Sequence, residues 1–367
     1  MISLFLSILL YNIVIIGGIF MFIKKVKQAL ILAMTINTIL SLFMLAFFYY
    51  QIGLYNNLCT LMFIIILIIE WYSVLYRDKK FIPIKQYLEQ FIEKHSQDIQ
   101  PYEKEAQSAF IKFTKLSTMQ MIIYSYFIKA AIFIISYYSI YNSEAHLLLI
   151  SFFLFITIFS ITFISAFIIT PYLNKKNYFH YINTQNNGYI YILMTYYLLQ
   201  LTSNDEFILK YVNLFNVSGA FANELYFEEG YAYIQIWRYN LKKFSPILQF
   251  LYINHCMSHL SMLDRHDEVE LAYQDYLATQ KRYPKYENKK LFLKISYSVS
   301  LTYAYDKQDW QTIIDLEKSY YQYFDKLQDH AAYYFYCAYK HIEEEKAEAL
   351  LQKYQNNKFF KKYIINE

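Results

Sequence analysis

Polar and apolar positions along the chain follow two regimes that meet near residue 172. In the first, apolar runs of roughly 20 residues recur, the length a helix needs to cross about 30 Å of hydrocarbon. Five such runs, 2–23, 28–50, 58–76, 119–141 and 146–172, predict five transmembrane helices. The first run has no basic residue before it and no small-x-small cleavage pattern, and it is followed by Lys24, Lys25 and Lys27, so it is expected as a retained span rather than a signal peptide. In the second regime, from 188 onward, helical stretches of 12 to 20 residues are separated by polar breaks such as 202–205, 216–219, 264–267, 284–288 and 305–309. No alternating strand pattern of useful length occurs, so the expected class is all-α.

Between the third and fourth spans the pattern changes to two amphipathic helices. Ile84, Tyr87, Leu88, Phe91, Ile92 and His95 form one stripe, with Lys85, Glu89, Glu93 and Lys94 opposite. Pro83 stands where a helix begins. After Pro101 a second stripe runs through Tyr102, Ala106, Ala109, Phe110 and Phe113. The expected organisation is therefore spans one to three in 1–76, a cytoplasmic amphipathic helical hairpin insert in 77–118 that either ties the two halves together by packing or meets the lipid surface or a partner, spans four and five in 119–172, and a helical domain in 173–367.

The loops assign an orientation, because Lys and Arg near span ends stay cytoplasmic. Loop 24–27 carries three Lys and segment 77–118 carries eight basic residues, whereas loop 51–57 has no charge and loop 142–145 has only Glu144. This predicts a multi-pass protein of the plasma membrane, N-terminus outside and C-terminal domain in the cytoplasm. Glu70 and Lys129 lie inside the third and fourth spans at depths differing by roughly 6 Å. Such charges are costly unless paired, so Glu70 and Lys129 are expected to form an intramembrane pair. That pair either locks the two spans together or lies on a transport path.

Charge refines this picture. Residues 1–172 hold 12 Lys/Arg and 8 Asp/Glu, and residues 173–367 hold 22 of each, so the net charge of +4 belongs to the first half. A neutral second half argues against nucleic acid as a partner. Membrane lipids and unidentified protein partners remain. Six glycines leave no phosphate loop or dinucleotide fingerprint, and no cofactor is expected. Cys59, Cys256 and Cys337 are too dispersed for a CxxC pair or a cysteine zinc site. The 42 Tyr and 31 Phe, beside abundant Ile, Asn and Lys, read as AT-rich codon usage in a bacterial source.

His255 and His259 stand at i and i+4 on one helix, a spacing that can hold zinc. The HExxH glutamate is missing and the face is otherwise Leu, Met and Ile, so the expectation is a packing histidine pair and no metal. No ordered set of Ser, His and Asp or Cys and His marks a catalytic site, and the chain is expected not to be an enzyme.

Segment 251–284 has a first helix ending at Leu263, a polar turn, a second helix with small Ala272 where two helices cross, Tyr276 one turn later, and Pro284 closing the unit. It resembles a tetratricopeptide repeat. Similar units run at 303–324 around Asp309 and Trp310, with Ile313 at the crossing position, and at 331–354, with Ala347 there. The intervals are 41 residues from Ala272 to Ile313 and 34 from Ile313 to Ala347, and glycine is missing where the consensus carries it. The resemblance implies an α-solenoid whose units bury their apolar faces on one another and which docks protein partners. Tyr297, Tyr303, Tyr333 and Tyr334 are candidate docking residues, with core packing as their other reading. The overall layout is also similar to membrane-anchored repeat proteins of Gram-positive bacteria, including staphylococcal auxiliary factors of β-lactam resistance. The expected function is that of a bacterial membrane scaffold or regulatory protein serving cell-envelope machinery. The alternative is a transporter subunit using Lys129 and Glu70.

Overall fold

The computed structural model describes residues 81–112, 187–201 and 211–365, together with the isolated positions Leu32, Thr35, Ile36, Thr38, Ile39, Leu42, Ile64 and Ile68. All elements among the described residues are helical, as the patterning predicts. The membrane expectation is corrected. No helix among the described residues is long and apolar enough to cross a membrane, against both the five-span architecture and the multi-pass placement. The most apolar of them, α2 (Gly188–Leu201), has 14 residues and is thus about 21 Å long, well short of a bilayer core of about 30 Å. The runs 2–23, 28–50, 58–76, 119–141 and 146–172, and with them Glu70 and Lys129, lie outside the described residues apart from the isolated positions above.

The chain forms two compact units. One includes 103–112 and Tyr197–Leu201 among its described residues. There the stripe after Pro101 is realised: Ala106 and Phe110 are buried, and the Phe110 ring lies 5.6 Å from that of Tyr197.

The other unit comprises Phe81–Tyr102, Thr184–Tyr196 and Leu209–Glu367. Its first helix, α1 (Ile82–Lys94), starts at the proline and buries Ile84, Leu88 and Phe91, the inner residues of the predicted stripe. Phe91 meets Phe221 edge to face at 4.6 Å, and the Tyr87 hydroxyl donates to the Glu229 carbonyl at 2.7 Å. The insert therefore contributes its first helix to the core of the C-terminal domain, and Phe81–Tyr102 folds as part of that domain.

Eight longer helices form antiparallel hairpins: α3 (Tyr211–Asn223) with α4 (Phe227–Gln235), α5 (Pro246–Met262) with α6 (His266–Arg282), α7 (Lys290–Asp306) with α8 (Trp310–Glu317), and α9 (Asp329–Ile342) with α10 (Glu344–Tyr354). Helix α5 is the centre and touches α3, α4, α6 and α7. Its sequence explains this, because apolar residues occupy nearly every side of it, and a helix apolar all round must be covered all round.

The first three hairpins share one turn. Leu225, Asp264 and Gln308 each have positive φ, 65°, 54° and 55°, in the middle of a three-residue link between helices. In each case the next residue's N–H bonds the carbonyl five positions back: Tyr226 to Phe221, Arg265 to Leu260 and Asp309 to Ala304, at 2.9 to 3.0 Å. This 6→1 bond closes the last helical turn and satisfies a carbonyl that would otherwise lack a partner. The turns recur 39 and 44 residues apart, so the structural period differs from the intervals of 41 and 34 read from the crossing residues. The second unit also starts earlier than 303, because its first helix runs from Lys290.

Candidate docking face

Helices α6 and α7 pack side by side, and their exposed seam carries an ordered polar cluster. Glu270 and Gln274 lie one turn apart on α6, with Tyr273 between them. Tyr303 and Lys307 face them from the end of α7, four residues apart and so on one helix face. The rings of Tyr273 and Tyr303 stack with centroids 3.8 Å apart and planes 13° apart. The Tyr303 hydroxyl and the Lys307 ammonium both donate to Glu270 Oε2 at 2.8 Å, and the Gln274 amide donates to Oε1 at 2.9 Å. Lys307 also lies 5.3 Å from the centre of the Tyr303 ring.

These contacts fix the charges. The Lys307 bond, then those of Gln274 and Tyr303, hold the Glu270 carboxyl down at about 2. The bond to Glu270 pushes the Lys307 ammonium up, and burial followed by the same carboxylate pushes the Tyr303 phenol up. All three shifts point away from neutrality, so none of these groups is poised to exchange a proton at neutral pH. The arrangement holds a flat aromatic pair and a fixed charge pair at the surface, which suits recognition rather than acid–base chemistry. Beside it the Asp306 carboxylate is fully buried and meets His266 Nδ1 at 2.9 Å, joining the first residue of α6 to the last of α7.

The tyrosines singled out from sequence separate into different environments. Tyr303 is on this face. Tyr297 and Tyr334 are core residues, 6% and 1% exposed, with the Tyr297 hydroxyl donating to the Leu316 carbonyl at 2.6 Å. Tyr333 is half-buried against Tyr305, Phe359 and Tyr363. Of the two roles open to these residues, packing is what Tyr297 and Tyr334 perform here. The repeat-packing residues lie along the hairpins: Tyr276 and Ala347 are buried, Ala272 is half-buried, Pro284 opens a short 3-10 turn after α6, and Trp310 starts α8 with its ring stacked on His341 at 4.6 Å. Glu270, Tyr273 and Lys307 escaped the sequence reading. Their signal was present as the same-face pairs Glu270 with Tyr273 and Tyr303 with Lys307, but each lies on a different helix and nothing local brings the two pairs together.

His255 and His259 point inward from α5. His259 is fully buried, its Nε2 lies 2.7 Å from Ser218 Oγ on α3, and its Nδ1 has no hydrogen-bond partner among the described residues. Burial holds both imidazoles low, at about 4 for His255 and about 3 for His259. Among the described residues no three His, Cys, Asp or Glu side chains gather as a metal cage. Cys256 and Cys337 are free thiols that burial pushes up, to about 12 and about 11, so neither is primed as a nucleophile.

Comparison with protein-family models, with curated proteins and with solved structures finds no match for the chain.

Proposed function

We propose that the chain is a docking protein, a scaffold or regulatory subunit that holds a protein partner on its hairpin domain and performs no chemistry of its own. The observation that carries this reading is the Tyr273–Tyr303 stack with its Glu270–Lys307 pair, a partly exposed surface cluster whose side chains are already held in place by one another. Interfaces concentrate their energy in aromatic anchors of this kind, and ordering them in advance removes part of the entropic cost of association. Antiparallel hairpins joined by a common turn provide the rigid support, as in helical-repeat proteins that offer extended binding surfaces.

The test compares proteins co-purifying with the full chain and with its Tyr303→Ala variant, each expressed in the native host. The reading stands if a defined partner set is retained by the parent and lost by the variant while far-UV circular dichroism is unchanged. An identical set in both would sink it.

A further inference from the structure

We infer that one edge of the hairpin domain, formed by the α4–α5 and α6–α7 connections, is a docking surface for an acidic segment of a partner protein. The helix directions place these two connections together. Phe250, near the start of α5, packs on Phe292, near the start of α7, with centroids 4.7 Å apart, and on Tyr276, in the second half of α6, at 5.8 Å. The start of α5, the end of α6 and the start of α7 therefore converge at one edge, while the pair His266 and Asp306 marks the other.

Charge is distributed unevenly between these edges. The α4–α5 connection, Arg238–Lys243, carries Arg238, Lys242 and Lys243 and no acid. The segment 281–290 carries five Lys or Arg against Glu287 alone. All eight cations are exposed. Among the described residues the Lys and Arg ion pairs of this unit use other cations, namely Lys94, Arg265, Lys307, Lys318, Lys346 and Lys358. The domain as a whole holds 22 Lys or Arg against 23 Asp or Glu, so with +7 in these two segments the rest of it nets −8, with Glu343, Glu344 and Glu345 clustered at the turn into α10. The N-termini of two 17-residue helices, α5 and α7, add positive potential to the basic edge.

Three features favour a protein segment over another polyanion. Tyr239, in the middle of the first connection, is 94% exposed, and Leu291, beside the second, is 45% exposed, so apolar and aromatic surface alternates with the charges. Exposed aromatic and apolar side chains give a partner segment contact area beside the charges, and Tyr and Arg, though not Lys, are enriched in protein interfaces. The patch is also confined to two short connections, and a domain whose net charge is −1 lacks the broad positive field that draws in nucleic acid.

This inference rests on the docking reading and adds the chemistry of the partner. Its test leaves Tyr303 intact, so a failed basic edge and a failed Tyr303 face are told apart. A fluorescein-labelled peptide of Asp and Glu with one central Tyr is titrated into the full chain and followed by anisotropy. Saturable binding is expected, falling about tenfold or more in the triple variant Lys285→Glu, Lys289→Glu, Lys290→Glu and weakening as salt approaches about 0.5 M. The pair Glu344→Lys, Glu345→Lys, outside the basic edge, should not weaken it. Arg238→Glu with Lys242→Glu gives an independent reversal should the triple variant misfold by circular dichroism. Absence of saturable binding, or parental affinity in both reversals, overturns the inference. So does full displacement of the peptide by single-stranded DNA or anionic vesicles at equal charge concentration, since the edge would then be a general polyanion surface.

Discussion

Ser218 Oγ and His259 Nε2 meet at 2.7 Å inside the core, and the backbone of Gly230 closes over the imidazole from α4. The same hydroxyl lies 3.3 Å from the Gly230 carbonyl, so three helices, α3, α4 and α5, share one polar contact. A Cβ at Gly230 would stand 2.1 Å from His259 Cε1 and 2.6 Å from Nε2. Glycine is required there by the approach of α4 to a fully buried ring.

Gly230→Ala should therefore destabilise the domain by about 2 to 3 kcal/mol, the usual cost of overpacking a dense core. Gly219→Ala provides the contrast, because its Cβ would stand 3.4 Å from His255 Cε1, an ordinary contact, and alanine is the better helix former. That variant should match the parent or gain up to about 0.5 to 1 kcal/mol. Urea unfolding of both variants checks the pair, and equal effects would refute the close-approach account.

The buried imidazole also gives the domain a pH dependence of definite sign. The groups facing His259 are the Ser218 hydroxyl on α3, the Gly230 backbone and the Phe227 ring on α4, and His255 on its own helix, none of them an acid. Its folded pKa, about 3, lies below the unfolded value of about 6.5. The unfolded chain therefore binds the proton first as pH falls, and stability is present above about 6.5 and lost below it. By about pH 5 this residue alone should cost about 2 kcal/mol, and His255 acts in the same direction. Denaturation measured across this range should show the loss, and His259→Gln should flatten it. A variant as acid-sensitive as the parent would place the effect elsewhere.

The shared turn supplies a stabilising change. Gln308 has φ of 55°, a left-handed conformation costing a non-glycine residue roughly 1 kcal/mol. Its side chain is exposed, so Gln308→Gly gives up little contact and should raise stability by about 0.5 to 1 kcal/mol. Asp309 beside it caps α8, accepting from the Thr312 N–H at 3.2 Å, and Asp309→Ala should cost about 1 kcal/mol. Opposite shifts in thermal midpoint are the expected result, and a lower midpoint for Gln308→Gly would contradict the turn geometry.

How much of this was legible follows from the range of each signal. The stripe Ile84, Leu88 and Phe91 is local and periodic, and it marked a real buried face. Helix breaks at 264–267 and 305–309 fall on the turns because polar residues and lost periodicity coincide there, whereas the break expected at 216–219 lies inside α3. The expected glycine was absent from those turns because Asp264, Gln308 and Leu225 take its conformation, so their equivalence became visible only in φ. Long apolar runs suggested spans, yet apolarity also marks a helix buried by protein on every side. In Gly188–Leu201 the residues Ile190 to Met194 are fully buried in just this way. The stacked Tyr273 and Tyr303 are 30 positions apart on different helices, a separation over which no local pattern carries information.

The tie between Glu224 and the C-terminal segment yields the last prediction. The Glu224 side chain is 2% exposed, one oxygen accepts from the Gly188 N–H at 2.7 Å, and the other pairs with Lys358. A carboxylate at the first residue of α2 suits the positive end of that helix, but a buried anion also needs its cation. Lys358→Met removes that cation and leaves the carboxylate desolvated, a loss of about 3 kcal/mol when one partner of a buried pair is deleted. Because Lys358 itself is 43% exposed, solvent should reduce this to about 1 to 2 kcal/mol. Adding Glu224→Gln to Lys358→Met should recover part of the loss, since a neutral amide still accepts from Gly188 without requiring a counterion. Unfolding free energies of the two single variants and the double variant form a cycle, and strict additivity would show that the pair does not couple the C-terminal segment to α2.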